Sequence, residues 1–106
     1  MSFRVVFSAR AERDAEEIRR WIASRSPEGA GKWVDALNGA LARLESSADT
    51  CGLAPEDEGF DDAIQEVLFK TRRGNTYRVL FTMAGDVVRV LAIRGTGQNL
   101  LGSNEL

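Results

Sequence analysis

The chain has 106 residues and a formal net charge of −2, with 43% hydrophobic and 28% charged residues. This size and composition predict one soluble globular domain over residues 1–106, and no apolar run reaches the roughly 20 residues that a membrane helix needs. Because the sequence has no histidine and one cysteine, histidine-based catalysis, an internal disulfide and a structural zinc are excluded. We expect no cofactor and no metal, and a lone thiol suits the cytoplasm.

Charge is distributed unevenly along the chain. Residues 49–62 carry six acids and no base, whereas residues 63–98 carry six bases and two acids. A domain that binds nucleic acid through phosphate contacts usually has a strong basic excess. An acidic chain with a basic C-terminal part therefore argues against a general nucleic-acid-binding protein.

The first predicted elements are a short strand and an amphipathic helix. Phe3, Val5 and Phe7 occupy alternate positions, which is the period of a strand with one buried face. Ser8 stands where an N-cap is expected, and apolar residues then return every three or four positions, which predicts a helix. These positions are Ala11, Ala15, Ile18 and Ile22.

A second helix is predicted from Ser26 to about Glu45. Ser26 is a good N-cap, and a proline at the first helical position loses no hydrogen bond. The short connection predicts an antiparallel helical hairpin. Gly31 and Gly39 lie inside this helix, where they either allow the two helices to approach closely or are tolerated surface positions.

An acidic, irregular segment follows at residues 46–62. Gly52, Pro55 and Gly59 interrupt it, a composition typical of a mobile loop. The alternative is an arm that folds against the basic sheet, either to screen its charge or to dock a partner. Cys51 lies in this segment, and without a histidine beside it we expect an unreactive loop thiol.

Between Ile64 and Arg94 the sequence predicts three strands joined by two tight turns. Gly74 and Asn75 are expected to supply positive φ at the first turn, and Gly85 lies in the second. The last strand is apolar on both faces, which indicates a central or covered strand. Together the elements predict an α+β fold, in which a helical hairpin packs on a small antiparallel sheet with one opening strand.

This order of elements, with TYRVLFTMAGDVVRVLAIRG near the C-terminal end, resembles the RelE/ParE superfamily of toxins from type II toxin–antitoxin (plasmid stabilisation) systems. The resemblance covers nearly the whole chain. Its most specific part is the strand with Tyr77, Arg78 and Val79, followed by a hairpin whose second strand ends in Ile93 and Arg94. It implies a β-α-α-β-β-β fold and a small bacterial cytoplasmic toxin, neutralised by an antitoxin whose C-terminal segment wraps the toxin.

The superfamily has a RelE-like class, whose members cut mRNA in the ribosomal A site. The resemblance places the basic catalytic positions of that class at Lys70, Arg72, Arg78 and Arg94. Cleavage by the 2′-hydroxyl needs a base, charge stabilisation at the phosphate and a proton for the leaving oxygen. The acid–base group of this class is a tyrosine or histidine near the C-terminal end, where this chain has Gly-Thr-Gly-Gln at residues 95–98. Glu66 or Lys70 is then the remaining candidate for the base.

The ParE-like class instead binds DNA gyrase and traps its cleavage complex, which requires a binding surface and no catalytic set. The acidic net charge and the missing histidine and terminal tyrosine favour this class. We predict a ParE-like, non-enzymatic toxin whose partners are DNA gyrase and a cognate antitoxin, with no membrane association. Two alternatives stay open: a RelE-like endonuclease acting on mRNA at the ribosome, and a degenerate binding module without toxicity.

Several side chains have both a structural and a functional interpretation. Arg78 either forms a salt bridge to a loop acid such as Asp61 or Asp62, or serves the function. Tyr77 alternates with apolar residues and is expected in the core. Both tryptophans, Trp21 and Trp33, are expected in the core or in the packing of the hairpin. An exposed Trp21, together with Ile18, would instead mark a surface for antitoxin docking.

Overall fold

The computed structural model describes residues 2–56, 63–72 and 74–95. Strand β1 (Arg4–Phe7) is followed by helices α1 (Ala9–Ala23) and α2 (Pro27–Ser47), and then by strands β2 (Gln65–Lys70), β3 (Thr76–Ala84) and β4 (Val87–Gly95). A 3-10 turn at Ala48–Thr50 follows α2 directly. The predicted order of elements is confirmed. No helix in the described part of the chain is long and apolar enough to cross a membrane.

The four strands form one sheet in the order β1-β4-β3-β2. Strands β2, β3 and β4 are antiparallel as predicted, but β1 runs parallel to β4, so the sheet is mixed. A parallel neighbour needs a long connection, and the helical hairpin with strands β2 and β3 lies between these two strands in sequence. β4 is therefore central, in agreement with its apolar residues on both faces.

Both helices begin at the predicted caps. The Ser8 hydroxyl accepts a hydrogen bond from the Ala11 backbone N–H at 3.1 Å, and the Ser26 hydroxyl accepts one from the Gly29 N–H at 2.9 Å. Pro27 occupies the first turn of α2, where its missing N–H has no intrahelical partner to lose. Local signals of this kind fix helix starts well, whereas α2 continues two residues past its predicted end at Glu45.

The hairpin packs on one side of the sheet, which we call the covered face: Val67, Phe69, Val79, Phe81, Val88 and Val90. Trp33, Leu37 and Leu44 of α2 pack against it and are at most 6% exposed. The last two lie four and eleven positions after Trp33, on one helical stripe. Burial of this apolar surface is the main source of the fold's stability.

Side chains on the other side of the sheet form what we call the open face: Glu66, Leu68, Lys70, Thr76, Arg78, Leu80, Ala92 and Arg94. Part of it is closed by a small second core of Ala54, Ile64, Leu80 and Ala92. The chain after α2 reaches this core by pairing with the start of β2. The Ala54 N–H donates to the Ile64 carbonyl at 2.8 Å, and the Glu66 N–H donates to the Gly52 carbonyl at 3.0 Å.

Helix α1 covers the edge of β4 that β1 is too short to reach. The strand register shifts after Leu80, and beyond Val90 strand β4 has no β1 residue opposite it. The Ser8 hydroxyl donates to the Leu91 carbonyl at 3.0 Å, and the Asp14 carboxylate accepts from the Ile93 N–H at 3.0 Å. The N-cap side chain of α1 and one side chain within the helix thus replace a neighbouring strand as hydrogen-bond partners.

Glycine serves different purposes at the different positions. Within the described ranges Gly85 alone has positive φ, 61°, so the expectation that Gly74 or Asn75 supplies positive φ is wrong. At Gly74 a Cβ atom would collide with the Thr71 hydroxyl, so the turn has no room for a side chain at this position unless Thr71 moves. A Cβ at Gly31 would meet no atom within 4 Å, and the same holds at Gly39, so these are surface positions.

Candidate functional site

The open face is centred on a buried ion pair between Arg78 and Glu56. The two terminal nitrogens of the Arg78 guanidinium each bind one oxygen of the Glu56 carboxylate at 2.8 Å. Glu66, which lies diagonally across from it on β2, adds a third contact to Nη1 at 3.3 Å. Arg78 is 9% exposed and Glu56 3%, so water screens this pair little.

This environment stabilises the charged form of the arginine and occupies its donors. The hydrogen bonds that Arg78 donates to Glu56 raise the pKa of the arginine, burial opposes this, and the Glu66 carboxylate raises the pKa further. A guanidinium bound this way has its charge balanced inside the protein. In the described arrangement the Arg78 guanidinium therefore stabilises the fold, and it is not available to bind a phosphate.

The predicted partner of Arg78 was a loop acid, and the structure supplies one at a different position. Glu56 belongs to the acidic segment, as expected of an arm that screens the basic sheet, whereas Asp61 and Asp62 lie outside the described residues. The signal in the sequence was the acidic run itself. It does not say which of its six acids reaches the sheet.

The other proposed catalytic positions are only partly brought together. Arg94 lies directly opposite Arg78 in the strand register, and Lys70 projects from the same face and is exposed. Arg72 lies past the end of β2 and lines a separate pocket. Tyr77 projects from the covered side, where its ring stacks on Phe69 with centroids 5.7 Å apart.

A second candidate surface is a pocket of about 630 Å³ between the α1–α2 connection and the β2–β3 connection. Its aromatic wall is formed by Trp33 and Tyr77, with ring centroids 5.7 Å apart and nearly perpendicular planes. Burial raises the pKa of the Tyr77 hydroxyl. Among the described residues the rim carries Arg72, Lys32 and one acid, Glu28, which pairs with Lys32 at 3.3 Å. The pocket thus combines aromatic surface with a basic rim.

Trp21 stands at the mouth of this pocket and is 55% exposed. The guanidinium of Arg25 lies over its ring, 4.0 Å from the centroid. The expectation that Trp21 packs in the core is wrong, because successive helical residues turn by about 100° and the buried stripe of α1 passes through Ile18 and Ile22. Trp33 does lie in the core. Ile18 is half-buried and packs against the same core cluster.

Cys51 is a free thiol within the described residues and is half-buried. Burial raises the pKa of this thiol, which keeps it protonated and poorly nucleophilic. This agrees with an unreactive loop cysteine.

The helical hairpin packed on a four-stranded mixed sheet defines an α+β fold. The fold is similar to that of a solved structure from the chromosomal ParDE toxin–antitoxin system of P. aeruginosa, with a TM-score of 0.69. The two chains are 19% identical, and the match covers 89% of this chain and 96% of the other. A search of curated proteins found no match.

The family assignment comes from the sequence profile described as the ParE toxin of type II toxin–antitoxin system, parDE, which matches residues 5–100. The chain belongs to this family.

Proposed function

We propose that this ParE-family toxin arrests bacterial growth by binding DNA gyrase in the cytoplasm, and that a cognate antitoxin neutralises it. Beyond the family, the observation that supports the proposal is that the Arg78 guanidinium is already paired within the protein. Two carboxylates hold its guanidinium inside the protein, whereas a ribonuclease would need this cation at the scissile phosphate.

Inhibition by binding makes fewer demands on the residues of the chain than RNA cleavage does. Cleavage needs a base and a proton donor beside the stabilising cations, and this sequence has no histidine for either role. A binding toxin needs a shaped surface with a few anchoring side chains. The exposed aromatic surface at the hairpin supports this mode of action.

We further propose that the antitoxin docks on the hairpin at Trp21, beside the pocket, with Ile18 supporting the helix from beneath. Large aromatic side chains next to a concave surface are the usual anchors of protein interfaces. Trp21 is more than half exposed, and Ile18 packs against the core. Because Lys32 and Arg72 line the pocket, an acidic antitoxin segment carrying an apolar anchor suits this surface.

Induction of the toxin alone in a bacterial host tests the gyrase proposal. We expect growth arrest, DNA breaks and relaxed reporter plasmids, with intact mRNA in cleavage maps made in parallel. Co-expression of the antitoxin should prevent the growth arrest, the DNA breaks and the relaxation of the plasmids. Codon-phased mRNA cuts that disappear in Arg78→Ala would establish the ribonuclease alternative, and growth without a defect would establish the degenerate module.

Calorimetric titration of Trp21→Ala with the cognate antitoxin tests the docking surface. Loss of a hot-spot aromatic costs on the order of 2 kcal/mol or more, about thirtyfold in affinity. Leu53→Ala is the matched control, since Leu53 is 62% exposed and does not line the pocket. Both variants should melt like the wild type. An unchanged antitoxin affinity in Trp21→Ala would place the antitoxin elsewhere.

A further inference from the structure

The pocket at the α1–α2 connection has an aromatic interior and an open mouth. Its volume is about 630 Å³, and both tryptophans of the chain line it. Trp33 in its wall is 2% exposed, whereas Trp21 at its mouth is 55% exposed. Exposed aromatic surface beside a cavity of this size is typical of a site that takes apolar groups.

Strand β4 ends beside this pocket. Its last residue, Gly95, is the direct register partner of Tyr77, whose side chain lines the pocket. Neighbouring strands lie about 4.8 Å apart, so the backbone of Gly95 is one strand spacing from that of Tyr77.

Helix α1 reaches the same place from the other side of β4. Its contacts with β4 move toward the end of the strand as the helix proceeds, and Asp14 binds the N–H of Ile93, two residues before that end. Trp21 lies seven positions farther along the helix, which is about two turns. The chain that continues past Gly95 therefore leaves the sheet close to both Trp21 and Tyr77.

The composition of residues 96–106, which lie outside the described part of the chain, suits the pocket. They include two adjacent leucines, Leu100 and Leu101, one acid, Glu105, and no base. Leu100 follows Gly95 by five residues, a stretch that spans up to about 17 Å when extended. This reach exceeds the strand spacing between Gly95 and Tyr77, so the leucines can enter the pocket from the end of β4.

The rim of the pocket has a cation available for the acid. Lys32 pairs with Glu28 at 3.3 Å, whereas Arg72 is exposed and forms no ion pair with any described residue. An exposed ion pair contributes at most about 1 kcal/mol. Apolar contact would therefore supply most of the binding energy, and the charges would orient the segment.

We propose that residues 96–106 fold back into this pocket in the free toxin, with Leu100 and Leu101 against Trp21 and the aromatic wall and with Glu105 near Arg72. The antitoxin segment proposed above for the same surface then has to displace them. This consequence rests on the proposed antitoxin docking, whereas the internal contact exists without the antitoxin.

Intrinsic tryptophan fluorescence tests the internal contact, because both tryptophans of the chain line the pocket. The test compares the wild type with the double variant Leu100→Ser, Leu101→Ser in the 106-residue chain, without antitoxin. We expect stronger quenching by acrylamide and emission at longer wavelength in the variant, since Trp21 loses its cover. Wild-type quenching and emission in the folded variant overturn the proposal.

Two control variants identify the source of the change. Leu53→Ser makes the same substitution at a leucine that is 62% exposed and does not line the pocket, and it should leave the fluorescence unchanged. Adding Trp21→Phe to the wild type and to the double variant should remove most of the difference between them, since Trp33 is buried. A difference of full size without Trp21, or an equal change in Leu53→Ser, overturns the proposal.

Leu101→Ala keeps the proposal testable if the double variant fails to fold. It removes one apolar anchor and leaves the other, so we expect an intermediate increase in quenching. Wild-type quenching in folded Leu101→Ala overturns the proposal in that case.

Antitoxin affinity separates this proposal from the docking proposal. A segment that fills the pocket about nine tenths of the time lowers the apparent affinity of a competitor about tenfold, so the double variant should bind the antitoxin about tenfold more tightly. Stronger quenching with unchanged antitoxin affinity supports the internal contact and shows that the antitoxin docks elsewhere. Unchanged quenching overturns the internal contact whatever the antitoxin affinity.

Discussion

The two faces of strand β3 are both buried, but different kinds of interaction bury them. Val79 and Phe81 are fully buried on the covered face under two helices, by apolar contact alone. On the open face Leu80 is equally buried, and Arg78 beside it is closed over by a short segment through a salt bridge. The covered face is sealed by apolar packing alone, whereas the open face is closed by a small apolar core together with a buried ion pair.

This difference decides which face can change. Apolar packing tolerates similar substitutes and weakens in proportion to the atoms removed. A buried ion pair depends on both partners, because the loss of one leaves a charge in a poorly solvated place. Around Arg78 the open face therefore depends on a single ion pair in addition to its small apolar core, whereas the covered face depends on many apolar contacts.

Truncation of core residues gives the largest expected effect and compares the two faces directly. Phe81→Ala should cost about 3–5 kcal/mol of unfolding free energy and Leu80→Ala about 2–4 kcal/mol, because both side chains leave cavities. Leu68→Ala is the control on the open face, and it should cost less than about 1 kcal/mol because Leu68 is 49% exposed. Urea unfolding measures all three. A Leu80 variant as stable as the Leu68 variant would mean that the second core is not formed.

Arg78→Ala should cost about 3 kcal/mol, because Glu56 then loses two charge-assisted hydrogen bonds in a buried position. The double variant Glu56→Leu with Arg78→Met should recover part of this loss, since apolar side chains of similar size replace a buried pair with little penalty. Urea unfolding at neutral pH gives both values. A double variant less stable than Arg78→Ala would show that the ion pair stabilises the protein more than apolar side chains of similar size do at these positions.

Asp14→Ala should destabilise the covered edge of β4 by about 1–2 kcal/mol, because the Ile93 N–H loses its acceptor. Asp14→Asn keeps a side-chain carbonyl oxygen at this place and should lose less. Amide hydrogen exchange of Ile93 follows the same order, fastest in the alanine variant. Equal protection of this amide in all three proteins would show that Asp14 does not protect the Ile93 N–H.

Gly39→Ala should give the smallest change, a gain of about 0.5–1 kcal/mol, because helix propensity improves and a Cβ there meets no atom within 4 Å. Gly31→Ala should behave alike. Gly29→Ala is the contrasting variant, since its Cβ would lie 3.0 Å from the Ser26 hydroxyl that caps the helix. Thermal unfolding should therefore show a rise for the first two and none for Gly29→Ala.

The elements themselves were predictable, because their signals are local. Alternation at Phe3, Val5 and Phe7 and the caps at Ser8 and Ser26 each lie within a few residues of the structure that they specify. The parallel pairing of β1 with β4 was missed, since no local pattern tells a strand which neighbour it will have.

The candidate site was predictable only in part, for the same reason. A salt bridge to a loop acid was one of two interpretations of Arg78. Glu56 lies 22 residues away from it, and no local pattern distinguishes the six acids of the run. Trp21 shows the reverse case. Its exposure follows from its place one position off the buried stripe of α1, which can be read from the sequence alone.

DNA supercoiling by purified gyrase can be measured with increasing amounts of this protein. This assay tests most directly whether the protein acts by binding gyrase and not by cutting RNA. We expect loss of supercoiling with accumulation of cleaved DNA, relief by the antitoxin, and no cleavage of mRNA on ribosomes incubated in parallel. Unchanged supercoiling together with ribosome-dependent mRNA cleavage would contradict inhibition of gyrase by binding.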